Sequence, residues 1–155
     1  MEKILLVTGG SRGIGAATAR LAAQRGYAVC VNYRENRAAA EALVDELKSL
    51  GSRAIAVAAD VSVEADVLQL FAAVDRELGP LTALVNNAGI VVRSGTRIAD
   101  VDAARLQRIF ATNVFGTILC AREAIRRMST ARGGRGGAIV NVSSGSARSG
   151  APGEY

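Results

Sequence analysis

Short apolar runs alternate with helical patterns along the whole 155-residue chain, and this alternation is what most restricts the folds open to it. Runs of strand character cover 4–7, 27–32, 54–59, 81–85 and 138–142. The first helical pattern, 14–25, is rich in alanine and is closed by Gly26. The second, 37–50, carries Leu43, Leu47 and Leu50 on one stripe, with Gly51 placed to end it. The third follows Ser62, which the sequence offers as N-cap, with Glu64 and Asp66 in the first turn. Its Val67, Leu70, Phe71, Val74 and Leu78 recur at helical spacing until Gly79-Pro80 stops it. A long helix is predicted from about Asp102 to Met128, carrying Leu106, Ile109, Phe110, Val114 and Leu119. Residues 90–101 are less regular, 129–137 form a loop rich in glycine and arginine, and 143–155 are a Ser/Gly/Pro-rich tail. Strands separated by helices require right-handed crossovers and a parallel sheet covered on both faces. The expected fold is α/β, a doubly wound parallel sheet in three layers, forming a single domain over 1–155.

Composition narrows the function. Half the chain is apolar, enough for one core without disulfides or metal. Only 4% is aromatic, which argues against a base-stacking surface. The formal charge of +5 is almost all arginine, spread from Arg12 to Arg148 without a basic block, so nucleic acid is not an expected partner. Cys30 and Cys120 stand alone, without metal-ligand or redox spacing, and read as small core residues. The first residues are too few and too polar for a signal or a membrane span, so a cytoplasmic protein with no membrane partner and no metal is expected.

In doubly wound sheets, ligands sit outside the carboxyl ends of the strands where the strand order reverses. The unusual polar clusters all lie at such ends: Gly9 to Gly15, Asp60, Asn86 to Gly89, and Ser143-Ser144. The turn after the first strand reads Thr8-Gly9-Gly10-Ser11-Arg12-Gly13-Ile14-Gly15. Its glycines let the backbone turn sharply, so that N–H groups and a helix N-terminus face a pyrophosphate.

Thr8-Gly-x-x-x-Gly-x-Gly together with Asn86-Asn87-Ala88-Gly89 resembles the short-chain dehydrogenase/reductase family. Two further matches follow in order: Asn113 within Ala111-Thr112-Asn113-Val114, similar to the family's helix asparagine, and Ile139-Val140-Asn141-Val142-Ser143-Ser144, similar to the strand that delivers its serine. The glucose 1-dehydrogenase and 3-oxoacyl carrier-protein reductase branches look similar around Val31-Asn32-Tyr33-Arg34. The resemblance implies a Rossmann-type fold and hydride transfer between nicotinamide and an alcohol or carbonyl (a sugar, a 3-oxoacyl group or another small ketone). It also implies a homodimer or homotetramer, with the long helix in an interface.

An acid at the end of the second strand would hold the ribose 2′-hydroxyl of NAD and repel a 2′-phosphate. Here the end reads Asn32-Tyr33-Arg34, and Arg12 stands in the glycine turn, so two guanidiniums are available for a 2′-phosphate. NADP is the expected cofactor, with NAD possible. The resemblance assigns Asp60-Val61 to the adenine ring and Asn87, Ala88 and Gly89 to the nicotinamide side, with Asn86 or Asn87 tying neighbouring strands. The cofactor-binding set is then Gly9, Ser11, Arg12, Gly13, Ile14, Gly15, Asn32, Tyr33, Arg34, Asp60, Val61, Asn87, Ala88 and Gly89.

The family's acid/base is a tyrosine, followed one helical turn later by a lysine. Ser144, with Ser143 and Ser146 as neighbours, maps to the serine that polarises the reacting oxygen, and Asn113 maps to a water-supporting relay. Tyr155 is a candidate acid/base with no lysine after it, so the catalytic tyrosine is expected beyond 155 and the chain alone is expected to be inactive. The apolar fifth strand, as an open edge, likewise suggests truncation. A non-catalytic dinucleotide-binding fragment or module is the alternative.

Overall fold

The computed structural model describes residues 2–91 and 97–150. Five parallel strands, β1 Lys3–Val7, β2 Tyr27–Tyr33, β3 Ala54–Ala58, β4 Ala83–Asn86 and β5 Ala138–Asn141, lie in the order β3-β2-β1-β4-β5. The order reverses between β1 and β4, so the loops leaving these two strands diverge to opposite faces and open a crevice at their carboxyl ends.

Successive strand residues feed opposite faces of the sheet. Ile4 and Leu6 of β1, with Cys30 and Leu84, pack on α3 Glu64–Glu77 and α5 Thr117–Met128 through Val67, Leu70, Phe71, Val74, Cys120 and Ala124. Leu5, Val7, Val29 and Val31 face the other way, against α1 Gly13–Gln24 and α2 Arg37–Ser49. The small Ala16, Ala19 and Ala23 let α1 sit close to the sheet, and Leu43 and Leu47 of α2 fill the space beyond. Burying each large aliphatic side chain contributes roughly 1.5–3 kcal/mol, so the two layers carry most of the favourable term.

Three local readings of the sequence need correction. Leu50 is 48% exposed, because α2 ends at Ser49 and the cap residue no longer follows the helical stripe. Gly51, at φ +83, does end the helix: its N–H bonds to the Lys48 carbonyl while Ser52 N–H reaches Leu47. Ser62 does not cap α3; Val63 occupies that position without a side-chain bond, since the Ser62 hydroxyl donates to Asp60 instead. The long helix is not uniformly α-helical. α4 Ala103–Phe110, capped by Asp102, passes through a π-helical turn, Ala111–Gly116, into α5. No residue of α4 is buried, whereas α5 is anchored by Cys120, Ala124, Met128 and the buried Glu123. The Glu123 carboxylate accepts from Arg126 at 2.7 Å and Arg127 at 2.9 Å, and Arg127 also reaches Asp75 of α3. Beyond β5, α6 Ser146–Ser149 is a single turn. Among the described residues no helix is long and apolar enough to cross a membrane.

Both cysteines are buried in the core, as their isolation in the sequence suggested. Burial pushes the Cys120 thiol up to about 12, helped by the nearby Glu123 charge, and raises Cys30 further. The folded chain therefore keeps the Cys120 proton well above the value of about 8.5 at which an unfolded thiol ionises. This contribution to stability is complete below about pH 8.5 and is lost as pH rises toward the folded value. At pH 8, both thiols are expected to react with a thiol reagent about 10³-fold or more slowly in the folded protein than in denaturant. Rapid labelling without denaturant would contradict this placement.

Candidate functional site

The site begins with the turn between β1 and α1. Gly9 and Gly13 take positive φ, +59 and +56, which side chains rarely adopt. A Cβ on Gly9 would also lie 2.9 Å from the Ala88 Cα, so the absence of a side chain lets the turn meet the loop after β4. Thr8 ties the two together. Its hydroxyl accepts from the backbone N–H of Asn87 and of Ala88, both at 3.0 Å. In return, the Asn87 amide donates to the carbonyls of Thr8 at 3.0 Å and Gly9 at 2.9 Å.

A second brace comes from β2. Asn32 is 2% exposed; its Oδ1 accepts from Gly9 N–H at 3.2 Å, and its Nδ2 donates to Ala59 at 3.0 Å and Val57 at 3.3 Å. Gly10 N–H bonds to the Asn32 carbonyl at 2.8 Å. Two amides thus fix the turn, the buried Asn32 on β2 and the partly buried Asn87 just past β4, and Thr8 was missed as a participant because its hydroxyl acts across 79 and 80 residues of chain.

The turn delivers the N-terminus of α1. Arg12 stands at the cap position in extended conformation, no side chain caps the helix, and its first turn has no acid. The free N–H groups and the positive end of the helix dipole therefore remain available to an anion. Gly13 has open space where a Cβ would be, whereas a Cβ on Gly15 would lie 2.6 Å from both the Gly9 carbonyl oxygen and Asn87 Nδ2. Gly15 serves the site from beneath the loop.

These residues border a cleft of about 520 Å³ across the carboxyl ends of the strands. Gly9, Ser11, Arg12, Gly13 and Ile14 form its centre; Asn32, Tyr33, Arg34, Asp60 and Val61 form one end; Asn87, Ala88 and Gly89 form the other. The expected cofactor-binding residues are thus brought together, apart from Gly15 behind the lining. Five more residues border it: Glu35, Asn36, Ala59, Ile90 and Thr112. Glu35 is an acid just past the end of β2, where the sequence reading had counted none. It follows Arg34 directly, and that adjacency was the available signal.

At this end the Arg34 guanidinium is already engaged. Nε donates to Glu35 Oε1 at 3.0 Å, Nη2 donates to the same oxygen, and Nη1 lies 3.8 Å from Asp60 Oδ2. Asp60 Oδ1 accepts from Ser62 N–H at 2.9 Å and Ser62 Oγ at 2.6 Å, while Asp60 N–H donates to Asp66 at 2.9 Å. Among the described residues Arg12 makes no ion pair and is exposed beside the cleft.

At the other end, Asn113 lies in the π-helical turn and spends both ends of its amide on one residue: Oδ1 accepts from Ile90 N–H and Nδ2 donates to the Ile90 carbonyl, each at 2.8 Å. Its side chain fixes the loop after β4. Asn86 joins β4 to β5 and α5, donating to Asn141 Oδ1 at 3.0 Å and to the Thr117 carbonyl at 3.3 Å.

Ser144 follows β5 at the same end of the sheet but does not border the cleft. It is exposed, and its hydroxyl accepts from Ser146 N–H at 3.1 Å, at the start of the single turn α6. Tyr155 lies outside the described residues.

A family model described as short chain dehydrogenase matches residues 3–155. An uncharacterized oxidoreductase of Escherichia coli, YgfF, is 51% identical over 152 residues, covering 98% of this chain and 61% of the relative. Versicolorin reductase of Emericella nidulans is 43% identical over 145 residues, covering 94% of this chain and 52% of the relative. A solved double mutant of a Serratia marcescens short-chain dehydrogenase/reductase superposes with TM-score 0.84 at 33% identity, covering 94% of this chain and 56% of that one. The chain thus spans between half and two thirds of the length of these relatives.

Proposed function

The chain belongs to the short-chain dehydrogenase family, and on that basis we propose that this protein is an NADP(H)-dependent oxidoreductase acting on an alcohol or carbonyl substrate. The observation that carries the reading is the uncapped, acid-free N-terminus of α1, opened by glycines at the point where the strand order reverses and flanked by Arg12 and Arg34. A dinucleotide fits these residues: the backbone N–H groups of the turn hold the pyrophosphate, and the arginines hold a 2′-phosphate. Asp60 and Val61 meet the adenine. Asp60 does so through Oδ2, because Oδ1 is committed to Ser62. Asn87, Ala88 and Gly89 bound the nicotinamide end.

The bound cofactor supplies the hydride chemistry. The chain's own residues position and polarise. Asn113 holds the Ile90 backbone and with it the wall of the cleft, so its influence on a water passes through the loop. Ser144 is assigned to the substrate oxygen: its hydroxyl accepts from Ser146 N–H and keeps its own O–H to donate. A sugar, a 3-oxoacyl group or another small ketone are the substrate classes proposed. The apolar face of the long helix, with Phe110, Val114, Phe115 and Ile118 all exposed, suits packing against a second copy in a homodimer or homotetramer.

The cofactor reading is tested by titration. NADPH is expected to bind more tightly than NADH, and Arg34→Asp is expected to weaken NADPH by about 10- to 100-fold with a much smaller effect on NADH, narrowing or reversing the preference. Equal affinities in the unmodified protein, indifferent to changes at both arginines, would remove NADP from the proposal and leave the dinucleotide site.

A further inference from the structure

The Nε–Nη2 edge of the Arg34 guanidinium is already occupied. Its Nε and Nη2, the pair that makes a two-pronged bond to an anion, are both turned onto Glu35, and Nη1 faces Asp60. The two carboxylates are held differently. Asp60 is fixed, with Ser62 donating twice to one oxygen and the Asp60 N–H tied to Asp66. The Glu35 side chain is 77% exposed and, among the described residues, bonds only to Arg34. Of the two, only Glu35 can move away without breaking any other bond.

We propose that Glu35 is a selectivity residue of the cleft, competing with the cofactor 2′-phosphate for the same edge of Arg34. This rests on the reading of Arg34 as a partner of that phosphate. NADPH must displace Glu35 and then sit near its charge, whereas NADH, with a neutral 2′-hydroxyl, leaves the Arg34–Glu35 pair intact. Glu35 thus moderates an NADPH preference that the two arginines would otherwise make strong, and biases the protein toward use of both nucleotides. The pair is exposed, so its effect is modest and weakened by salt.

The experiment measures dissociation constants of NADPH, NADH, 2′,5′-ADP and 5′-AMP at fixed low salt for the unmodified protein, Glu35→Gln, Arg34→Gln and the double variant. Glu35→Gln is expected to tighten NADPH and 2′,5′-ADP by about three- to tenfold while changing NADH and 5′-AMP by less than about twofold. In the Arg34→Gln background that gain is expected to disappear. Circular dichroism confirms folding, which an exposed Glu-to-Gln change preserves. If Glu35→Gln leaves the 2′-phosphorylated ligands unchanged, tightens all four alike, or keeps its full gain without Arg34, the competition is overturned. Arg34→Gln alone tests the underlying reading. If it weakens 2′,5′-ADP while Glu35→Gln does nothing, Arg34 keeps its role and Glu35 loses its own; if it leaves 2′,5′-ADP unaffected, both roles fall.

Discussion

A polypeptide of residues 1–155 is expected to bind NADPH yet to oxidise it, with any of a panel of ketones and sugars, at least about 10²–10⁴-fold more slowly than a chimera carrying the remaining part of the E. coli relative. The argument concerns where tyrosine and lysine stand. Tyrosines occur at 27, 33 and 155 and lysines at 3 and 48, so no lysine follows a tyrosine by one helical turn. The one tyrosine–lysine contact among the described residues, Lys3 Nζ 5.5 Å from the centre of the Tyr27 ring, lies where β1 and β2 begin, at the opposite end of the sheet from the cleft. Tyr33 borders the cleft but is only 9% exposed, and Lys48 is in the last turn of α2, at the far end of that helix. Among the described residues no tyrosine at the cleft has a lysine beside it. In its proposed role Ser144 polarises the reacting oxygen but does not supply the acid/base. The chimera adds the remaining part of the relative to a closely similar scaffold, 51% identical over almost the whole chain. Absorbance of NADPH at equal protein concentration gives the two rates. Comparable turnover by the 155-residue polypeptide would show that another group, Tyr155 included, does the proton transfer. Absent turnover in a chimera that folds and binds NADPH would favour the dinucleotide-binding module over the enzyme.

Gly15→Ala is expected to cost about 3 kcal/mol, lowering Tm by about 6–12 °C, and to abolish NADPH binding at concentrations that saturate the unmodified protein. The new methyl would lie 2.6 Å from the Gly9 carbonyl oxygen, 2.6 Å from Asn87 Nδ2 and 2.9 Å from the Gly10 Cα. Two of these are backbone atoms of the turn, which cannot step aside as a flexible side chain can. The third is the amide that closes the turn on the Thr8 and Gly9 carbonyls, so relief by moving Asn87 leaves partly buried acceptors without their donor. Either response widens the turn that aims the α1 N–H groups. Gly13→Ala separates strain from clash: its Cβ would meet nothing within 4 Å, but its φ is +56, so a smaller loss of about 1–2 kcal/mol is expected. Thermal denaturation and NADPH titration of both variants decide. A Gly15→Ala protein that melts with the unmodified one and still binds cofactor would show that the turn tolerates the displacement.

Both expectations depend on features of unequal visibility in the sequence. The alternation of strands and helices, the glycine turn and the polar residues at strand ends were legible because each depends on local periodicity or on the conformational freedom of glycine. The amphipathic stripe Val67, Leu70, Phe71, Val74 and Leu78 is buried throughout, and the strand boundaries differ by only a residue or two. The parallel sheet and the position of the cleft follow from that alternation, since helical crossovers leave few topologies open.

Tertiary structure alone decided how individual polar groups are spent. Ser62 had the sequence of a cap and became a partner of Asp60; Asn113 had the place of a water-supporting relay and holds the Ile90 backbone with both amide atoms. Arg34 read as a free cation and lies between two carboxylates, one of them just one residue away. The long helix read as continuous, yet it shifts to π geometry where Gly116 meets Val61, whose Cγ2 would be only 2.8 Å from a Cβ at that glycine. The difference is physical. Burial of an apolar stripe depends on spacing along the chain, which the sequence displays. A hydrogen-bonding group takes the best partner within about 3 Å, and when that partner arrives from another strand or helix it is selected only once the sheet has assembled.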